Sequence, residues 1–211
     1  NRVTTIVVDK TGTLTEGKPK VTTVINLAWC PQMELLALAA GIEQSSEHPL
    51  ADAIVQGARA RGVALPAEAE SFEYVPGKGV SGVASGRNVV LGSKRFLEEV
   101  GIPTVELDRQ AQILRQDGQT VVYVGIDGKP AGVIGVGDAI RASAEKALHV
   151  FKKRGVEVVM ATGDNSITAK AVAKQLGITQ VFAETLPNEK RDLVLRLKQD
   201  GGFIAMAGDG V

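Results

Sequence analysis

Short β-branched apolar runs alternate along this chain with stretches whose apolar residues recur every three or four positions. Residues 3–8 form the first such run, which predicts a buried strand of a parallel sheet with Asp9 at its carboxyl end. Residues 156–161 repeat the arrangement ahead of Thr162-Gly163-Asp164, and residues 203–207 ahead of Gly208-Asp209-Gly210. Helical spacing fills the intervals. Ala144, Ala147, Leu148 and Phe151 lead to a stop at Gly155, and Ala169, Val172, Ala173 and Leu176 to a stop at Gly177. Pro187 opens residues 188–199, with Leu193, Val194 and Leu197 on one face. Strand alternating with helix predicts an α/β fold, a Rossmann-like doubly wound parallel sheet with helices on both faces.

The middle of the chain breaks this rhythm. Residues 31–41 and 49–59 read as two helices. A Gly-rich region follows, with short strands over 80–84, 89–91, 121–126 and 131–136; Ser85-Gly86 and Asp127-Gly128 supply hairpin turns. An α+β unit with an antiparallel sheet is therefore inserted after the first strand. The expected boundaries are 1–20 and 133–211 for the parallel unit and 21–132 for the insert.

The chain has 211 residues, 44% of them hydrophobic and 23% charged, with a formal net charge of zero. That is the balance of a globular protein of one large domain or two small ones. Nothing in it points to nucleic acid as a partner, so any phosphate chemistry rests on a local site. Cys30 is the lone cysteine and reads as a buried thiol, without the neighbours that would make it a metal ligand. No apolar run approaches the roughly 18–20 residues that span a bilayer. No signal peptide opens the chain, and its ends read as cuts within something longer.

The most informative stretch is Asp9-Lys10-Thr11-Gly12-Thr13-Leu14-Thr15. A strand-end aspartate followed by a tight Gly-containing loop presents its carboxylate beside backbone N–H groups and two hydroxyls, a cradle for phosphate. Carboxylates also act as covalent nucleophiles toward phosphoryl groups. Alone, Asp9 reads about equally well as an Asx turn. Three further features weigh against that: Thr162 and Gly163 as phosphoryl-oxygen donors at a second strand end, Lys190 as a cation in the first turn after Pro187, and Asp209 at a third strand end. Asp9, Asp209 and the backbone carbonyl of Thr11 make an oxygen-only set suited to Mg²⁺.

The sequence 9–15 resembles the phosphorylation signature of P-type ATPases, within the haloacid-dehalogenase-like superfamily. Thr162-Gly163-Asp164-Asn165 and Gly208-Asp209-Gly210-Val211 are similar to two further motifs of that family. The resemblance implies that Asp9 is phosphorylated, that Thr162 and Gly163 hold the phosphoryl group, that Lys190 neutralises it, that Asp164 supports the site and that Asp209 binds Mg²⁺. The family continues past this point with Asn-Asp. Related phosphatases carry a second aspartate where this chain has Thr11, and threonine activates water poorly, so the aspartyl-phosphate is expected to persist.

Ser46-Glu47-His48-Pro49 resembles the nucleotide-binding signature of the heavy-metal class of these pumps. The resemblance implies that His48 orients the adenine ring, that Glu43 meets its amino group, and that Gly77 and Gly79 let the ATP phosphates approach the backbone. Ser93 stands where that class often has Asn. The pattern 77–82 is no dinucleotide fingerprint, because strands flank it. Lys78 reads as a solvated loop lysine, and Trp29 and Phe72 as packing residues.

These readings converge on the ATP-binding, autophosphorylating cytoplasmic part of a membrane pump that exports a heavy-metal ion, Cu⁺ first and Zn²⁺, Cd²⁺ or Co²⁺ as alternatives. An actuator domain and a metallochaperone are the implied partners. A soluble phosphatase of the same superfamily and a non-catalytic nucleotide-binding module are the competing readings.

Overall fold

The computed structural model describes residues 3–66, 69–199 and 203–208. Its chain divides into two compact units. One comprises Asn1–Lys18, Arg115–Gly118 and Asp138–Val211, the other Pro19–Leu114 and Gln119–Gly137.

The first unit is built on a four-stranded parallel sheet. Its strands are β1 (Thr5–Asp9), β8 (Glu157–Ala161), β9 (Gln180–Phe182) and β10 (Ile204–Ala207), in the order β10-β1-β8-β9. Helices α5 (Ala142–Lys153), α6 (Ser166–Leu176) and α7 (Pro187–Gln199) belong to this unit. Adjacent β1 residues point to opposite faces. Val8 joins a cluster with Ala144 of α5 and Ala169, Val172 and Ala173 of α6; Val7 joins another with Val159 and Leu193 of α7. The sheet is thus covered on both sides, which is why its strands read as unbroken apolar runs. Gly177 ends α6 in the left-handed conformation, φ 66°, a cost that glycine avoids.

The second unit is a six-stranded antiparallel sheet, β2-β7-β6-β5-β4-β3. Its strands are β2 (Lys20–Asn26), β3 (Glu70–Val75), β4 (Gly79–Ala84), β5 (Arg87–Gly92), β6 (Thr120–Ile126) and β7 (Lys129–Gly137). Helices α1 (Gln32–Glu43) and α2 (Pro49–Ala60) cover one face, where Val122, Val124 and Ile126 of β6 join Leu35, Ile42 and Ile54. Helices α3 (Lys94–Glu99) and α4 (Asp108–Gln116) cover the other, where Val121 and Tyr123 meet Leu97, Leu107 and Leu114.

Several expectations change. The boundary expected at 132 falls inside β7, whose ladder with β2 runs on to the pair Lys20↔Gly137. Helix α1 continues past Gly41 to Glu43. Gly41 is not a stop: a Cβ there would lie 2.4 Å from Pro66 Cγ, so the position needs glycine for close packing. Trp29 is exposed and anchored by its Nε1–H, which donates to the Pro130 carbonyl at 2.9 Å. Phe72 packs against the insert's core, and Cys30 is buried, its thiol pushed up by that burial.

Candidate active site

The parallel topology sets the site. β1 lies between β10 and β8, with Val8 paired to Ala207 and Asp9 to Ala161. The segments leaving all three strands therefore converge at one sheet edge, the carboxyl ends where open α/β sheets carry their chemistry. A Cβ added to Gly208 would lie 3.9 Å from Asp9 Cβ, so the end of β10 runs directly beside the aspartate. Asp209 lies outside the described residues.

Lys190, in the first turn of α7, donates from Nζ to Asp9 Oδ2 at 2.5 Å. Both side chains are about four-fifths shielded from solvent, so the pair is partly desolvated and stronger than a surface ion pair. The turn before the helix is fixed by the Leu186 N–H, which donates to Glu189 Oε2 at 2.8 Å. The sequence implied Lys190 as the cation for the phosphoryl group on Asp9, and across 181 positions the two side chains meet.

Thr162 and Asp164 form a second group. Thr162 is buried, its hydroxyl donates to Asp164 Oδ2 at 3.1 Å, and the Asp164 N–H donates back to Thr162 Oγ1 at 3.2 Å. The Thr162 hydroxyl thus serves Asp164, whereas Gly163 is exposed at the same strand end. Asp164 also ion-pairs with Lys10, which is only 5% exposed. Removing one partner of a buried pair leaves an uncompensated charge, at a typical cost of about 3–5 kcal/mol. The composition of the motif gave no sign that Lys10 is buried; only the fold shows it.

The loop after Asp9 closes tightly. The Thr15 N–H donates to the Lys10 carbonyl at 3.0 Å, and Gly12 takes a left-handed conformation, φ 77°. The Gly12 N–H donates to Thr15 Oγ1 at 3.3 Å, so it is not open to a phosphate here, contrary to a cradle made of unused amides. Thr11 is exposed at the rim.

Two residues missed from the sequence hold this loop. Asp138 Oδ2 accepts from Thr15 Oγ1 at 2.5 Å and from the Gly17 N–H at 3.2 Å; its Oδ1 accepts from the Lys18 N–H at 3.1 Å. Arg141 Nε donates to the Thr15 carbonyl at 2.8 Å, and its Nη2 to the carbonyls of Gly12 and Glu16 at 3.1 and 3.2 Å. The usable signal was their position at the chain's return from the insert, next to the loop it had left.

The oxygen donors near Asp9 fit Mg²⁺ in kind: a carboxylate and the Thr11 carbonyl are hard ligands. Among the described residues no cluster of three or more His, Cys, Asp or Glu side chains forms a metal site by itself.

The nucleotide candidates lie in the insert. His48 caps α2: its Nδ1 accepts from the Leu50 N–H at 3.1 Å, and its own N–H donates to Ser46 Oγ at 3.3 Å. An accepting Nδ1 requires the Nε2–H tautomer of a neutral ring. Desolvation lowers the His48 pKa in the same sense, although part of the residue faces solvent. Glu43 is 8% exposed, and burial pushes its carboxyl up to about 7, against a smaller opposing effect of the Ser46 hydrogen bond. Glu43, Ser46 and His48 share one connection between α1 and α2.

The two glycines of the expected phosphate loop differ. Gly77, φ 71°, sits in an open turn with nothing within 4 Å of an added Cβ. Gly79 is crowded instead. A Cβ there would lie 2.0 Å from the Leu91 carbonyl and 2.7 Å from Gly92 Cα, so glycine is needed for β4 to approach β5. Ser93 is the N-cap of α3, accepting from the Phe96 N–H at 3.2 Å.

A family model for haloacid dehalogenase-like hydrolases matches residues 3–211. The chain belongs to this family. Within it, the chain is similar to catalytic domains of metal-transporting P-type ATPases. A copper-transporting P-type ATPase of Rhizobium leguminosarum bv. viciae is 48% identical over 98% of the chain, and a silver exporting P-type ATPase of Salmonella typhimurium 44% identical over 100% of it. The chain spans about a quarter of the length of these curated relatives. The catalytic CPx-ATPase domain CopB-B superposes with a TM-score of 0.74 at 30% identity, covering 100% of this chain and 72% of that one. A zinc-transporting PIB-type ATPase in its E2·Pi state gives 0.69 at 38% identity, covering 99% and 33%. Among the described residues no helix is long and apolar enough to cross a membrane.

Proposed function

We propose that this chain is the ATP-binding, autophosphorylating part of a heavy-metal P-type ATPase that exports Cu⁺. The unit of Asn1–Lys18, Arg115–Gly118 and Asp138–Val211 acts as the phosphorylation domain, and that of Pro19–Leu114 and Gln119–Gly137 as the nucleotide-binding domain. The observation carrying this reading is the Lys190–Asp9 pair at the shared carboxyl edge of three parallel strands.

In the proposed reaction an Asp9 carboxylate oxygen attacks the γ-phosphorus of ATP. A new O–P bond forms as the bond to the β,γ-bridging oxygen breaks, and ADP leaves with that oxygen. Lys190 faces the growing negative charge, with Thr162 and Gly163 at the neighbouring strand end. Lys10 holds Asp164 in place through their ion pair, and Arg141 and Asp138 keep the Asp9 loop in register. Mg²⁺, when bound by Asp9, the Thr11 carbonyl and Asp209, would neutralise phosphate charge.

At the base end, the Glu43 carboxyl is held near half-protonation around pH 7 by burial. In its protonated form it offers both a donor and an acceptor to the adenine edge beside His48. Thr11, lacking a carboxylate, leaves the aspartyl-phosphate long-lived. The actuator domain and membrane helices of the intact pump then hydrolyse and exploit it, and a metallochaperone delivers the ion.

The copper assignment draws on relatives named for copper and silver; the zinc-transporting structure favours the alternative cargo. The test is acid-stable phosphoenzyme formation from ATP labelled at the γ-position, in the full-length protein with Cu⁺, Ag⁺ or Zn²⁺. Stimulation by Cu⁺ and Ag⁺ is expected. Stimulation by Zn²⁺ alone would reassign the cargo, and no phosphoenzyme with any ion would refute the reading.

A further inference from the structure

Lys78 is the last residue of the open turn between β3 and β4, and three contacts make that turn rigid. The Lys78 N–H donates to the Val75 carbonyl at 3.0 Å, and the Lys78 carbonyl accepts from the Ser93 N–H at 2.9 Å. Behind it, Gly79 lies flat against Leu91 and Gly92. The outer side is empty, since nothing lies within 4 Å of a Cβ built on Gly77. A partly exposed cation is therefore carried on a backbone that cannot recede.

The turn also stands at a useful distance from the Glu43–His48 connection. β4 starts at Gly79, and at Gly82 it meets α1: a Cβ there would lie 3.2 Å from Ile42 Cδ1, one residue before Glu43. Lys78 is four positions further back, just before the strand, about 13 Å at the usual rise. A ligand with its base at Glu43 and His48 and its charge at Lys78 has to be elongated, which suits a nucleoside di- or triphosphate better than a monophosphate.

Lys78 Nζ meets Glu99 Oε2 at 2.5 Å, with both side chains more than a third exposed. Glu99 Oε1 also takes Arg95 Nε at 2.7 Å, one turn back on α3. Lys78 first and Arg95 after it hold the Glu99 carboxyl below its ordinary range. Were Lys78 to leave, Glu99 would keep a cationic partner. An exposed pair of this kind is weak, whereas an ammonium–phosphate contact is charge-assisted and stronger.

We propose that Lys78 binds the terminal phosphates of the nucleotide and that Glu99 holds it in reserve until the nucleotide displaces it. The inference rests on the reading of Glu43 and His48 as the adenine site. It makes Lys78, between Gly77 and Gly79, the residue that separates ATP from AMP.

The experiment is titration calorimetry of the 211-residue chain with ATP and with AMP, in wild type, Lys78→Gln, Glu99→Gln and the double variant. Lys78→Gln is expected to weaken ATP about tenfold and leave AMP unchanged. Glu99→Gln is expected to tighten ATP about threefold, an effect that disappears in the Lys78→Gln background. Equal effects on ATP and AMP, no effect on ATP, or a Glu99→Gln gain that persists without Lys78 would each overturn the proposal. Those outcomes would reduce the ion pair to a clasp between turn and helix. His48→Gln separates the two readings: if it weakens both nucleotides while Lys78→Gln changes neither, only the Lys78 proposal fails. If wild type binds neither nucleotide, the adenine-site reading fails and takes this one with it.

Discussion

The two sheets assemble their candidate sites in opposite ways. In the parallel sheet, residues far apart in sequence arrive at one edge because every strand runs the same way: Asp9, Thr162 and Lys190 come from three segments. In the antiparallel sheet, the candidates come from short local stretches, Glu43 to His48 and Gly77 to Gly79, held by a helix cap and a turn. A parallel edge concentrates charge and suits covalent chemistry. Local turns on an antiparallel frame suit reversible holding. Damage to the first should abolish reaction without loss of nucleotide, and damage to the second should do the reverse.

The sharpest break is Asp9→Asn. In the full-length protein it should leave no detectable acid-stable phosphoenzyme, while ATP affinity measured by calorimetry stays within twofold. Lost affinity would mean that the two regions are not separable in this way.

Next in size is the pH dependence of the insert. The Glu43 carboxyl titrates near 4.5 when unfolded and at about 7 when folded. Between those values the folded state keeps a proton that the unfolded state has released, so stability falls as pH rises. The effect is absent below 4.5 and complete above 7, and totals on the order of 3 kcal/mol. Glu43→Gln should flatten the Tm-versus-pH curve in that window and raise Tm at pH 8. An unchanged slope would refute the burial argument.

Arg141→Ala releases three carbonyls of the Asp9 loop. A loop displaced by about 1 Å should slow phosphoenzyme formation about 100-fold with ATP affinity unchanged, which rapid-quench kinetics will read. Gly79→Ala forces β4 away from β5 and should cost about 2 kcal/mol in urea unfolding, whether or not nucleotide is present. The smallest effect belongs to His48→Gln: about tenfold weaker ATP and AMP, plus up to 1 kcal/mol for the lost cap of α2. Unchanged affinity would remove His48 from the site.

What could be read from the sequence follows the same divide. β1, β8 and β10 were legible because burial on both faces leaves unbroken β-branched runs, and α6 because Gly177 marks its end. β6 and β7 were legible from their apolar runs and the Asp127-Gly128 turn. β2, β3, β9, α3 and α4 were not. β3 is an edge strand with mostly exposed residues, β9 spans three residues, and α3 and α4 each bury only two side chains. Asp9 stood out through its motif and strand-end position, and Lys190 through its place in the first turn after Pro187. Lys10, Asp138 and Arg141 did not, since burial and long-range adjacency leave no local trace, and neither does the close approach of β4 to β5 at Gly79.

The pairing of Lys20 with Gly137 has a topological consequence. The insert leaves and rejoins its host at facing ladder positions roughly 5 Å apart, the separation of a hairpin's two arms. To the parent sheet, therefore, a guest of over a hundred residues is topologically no more than a tight turn. Closing it carries none of the growing entropy of a long loop. The length of the guest can therefore change while the separation of its two junctions stays that of one ladder pair.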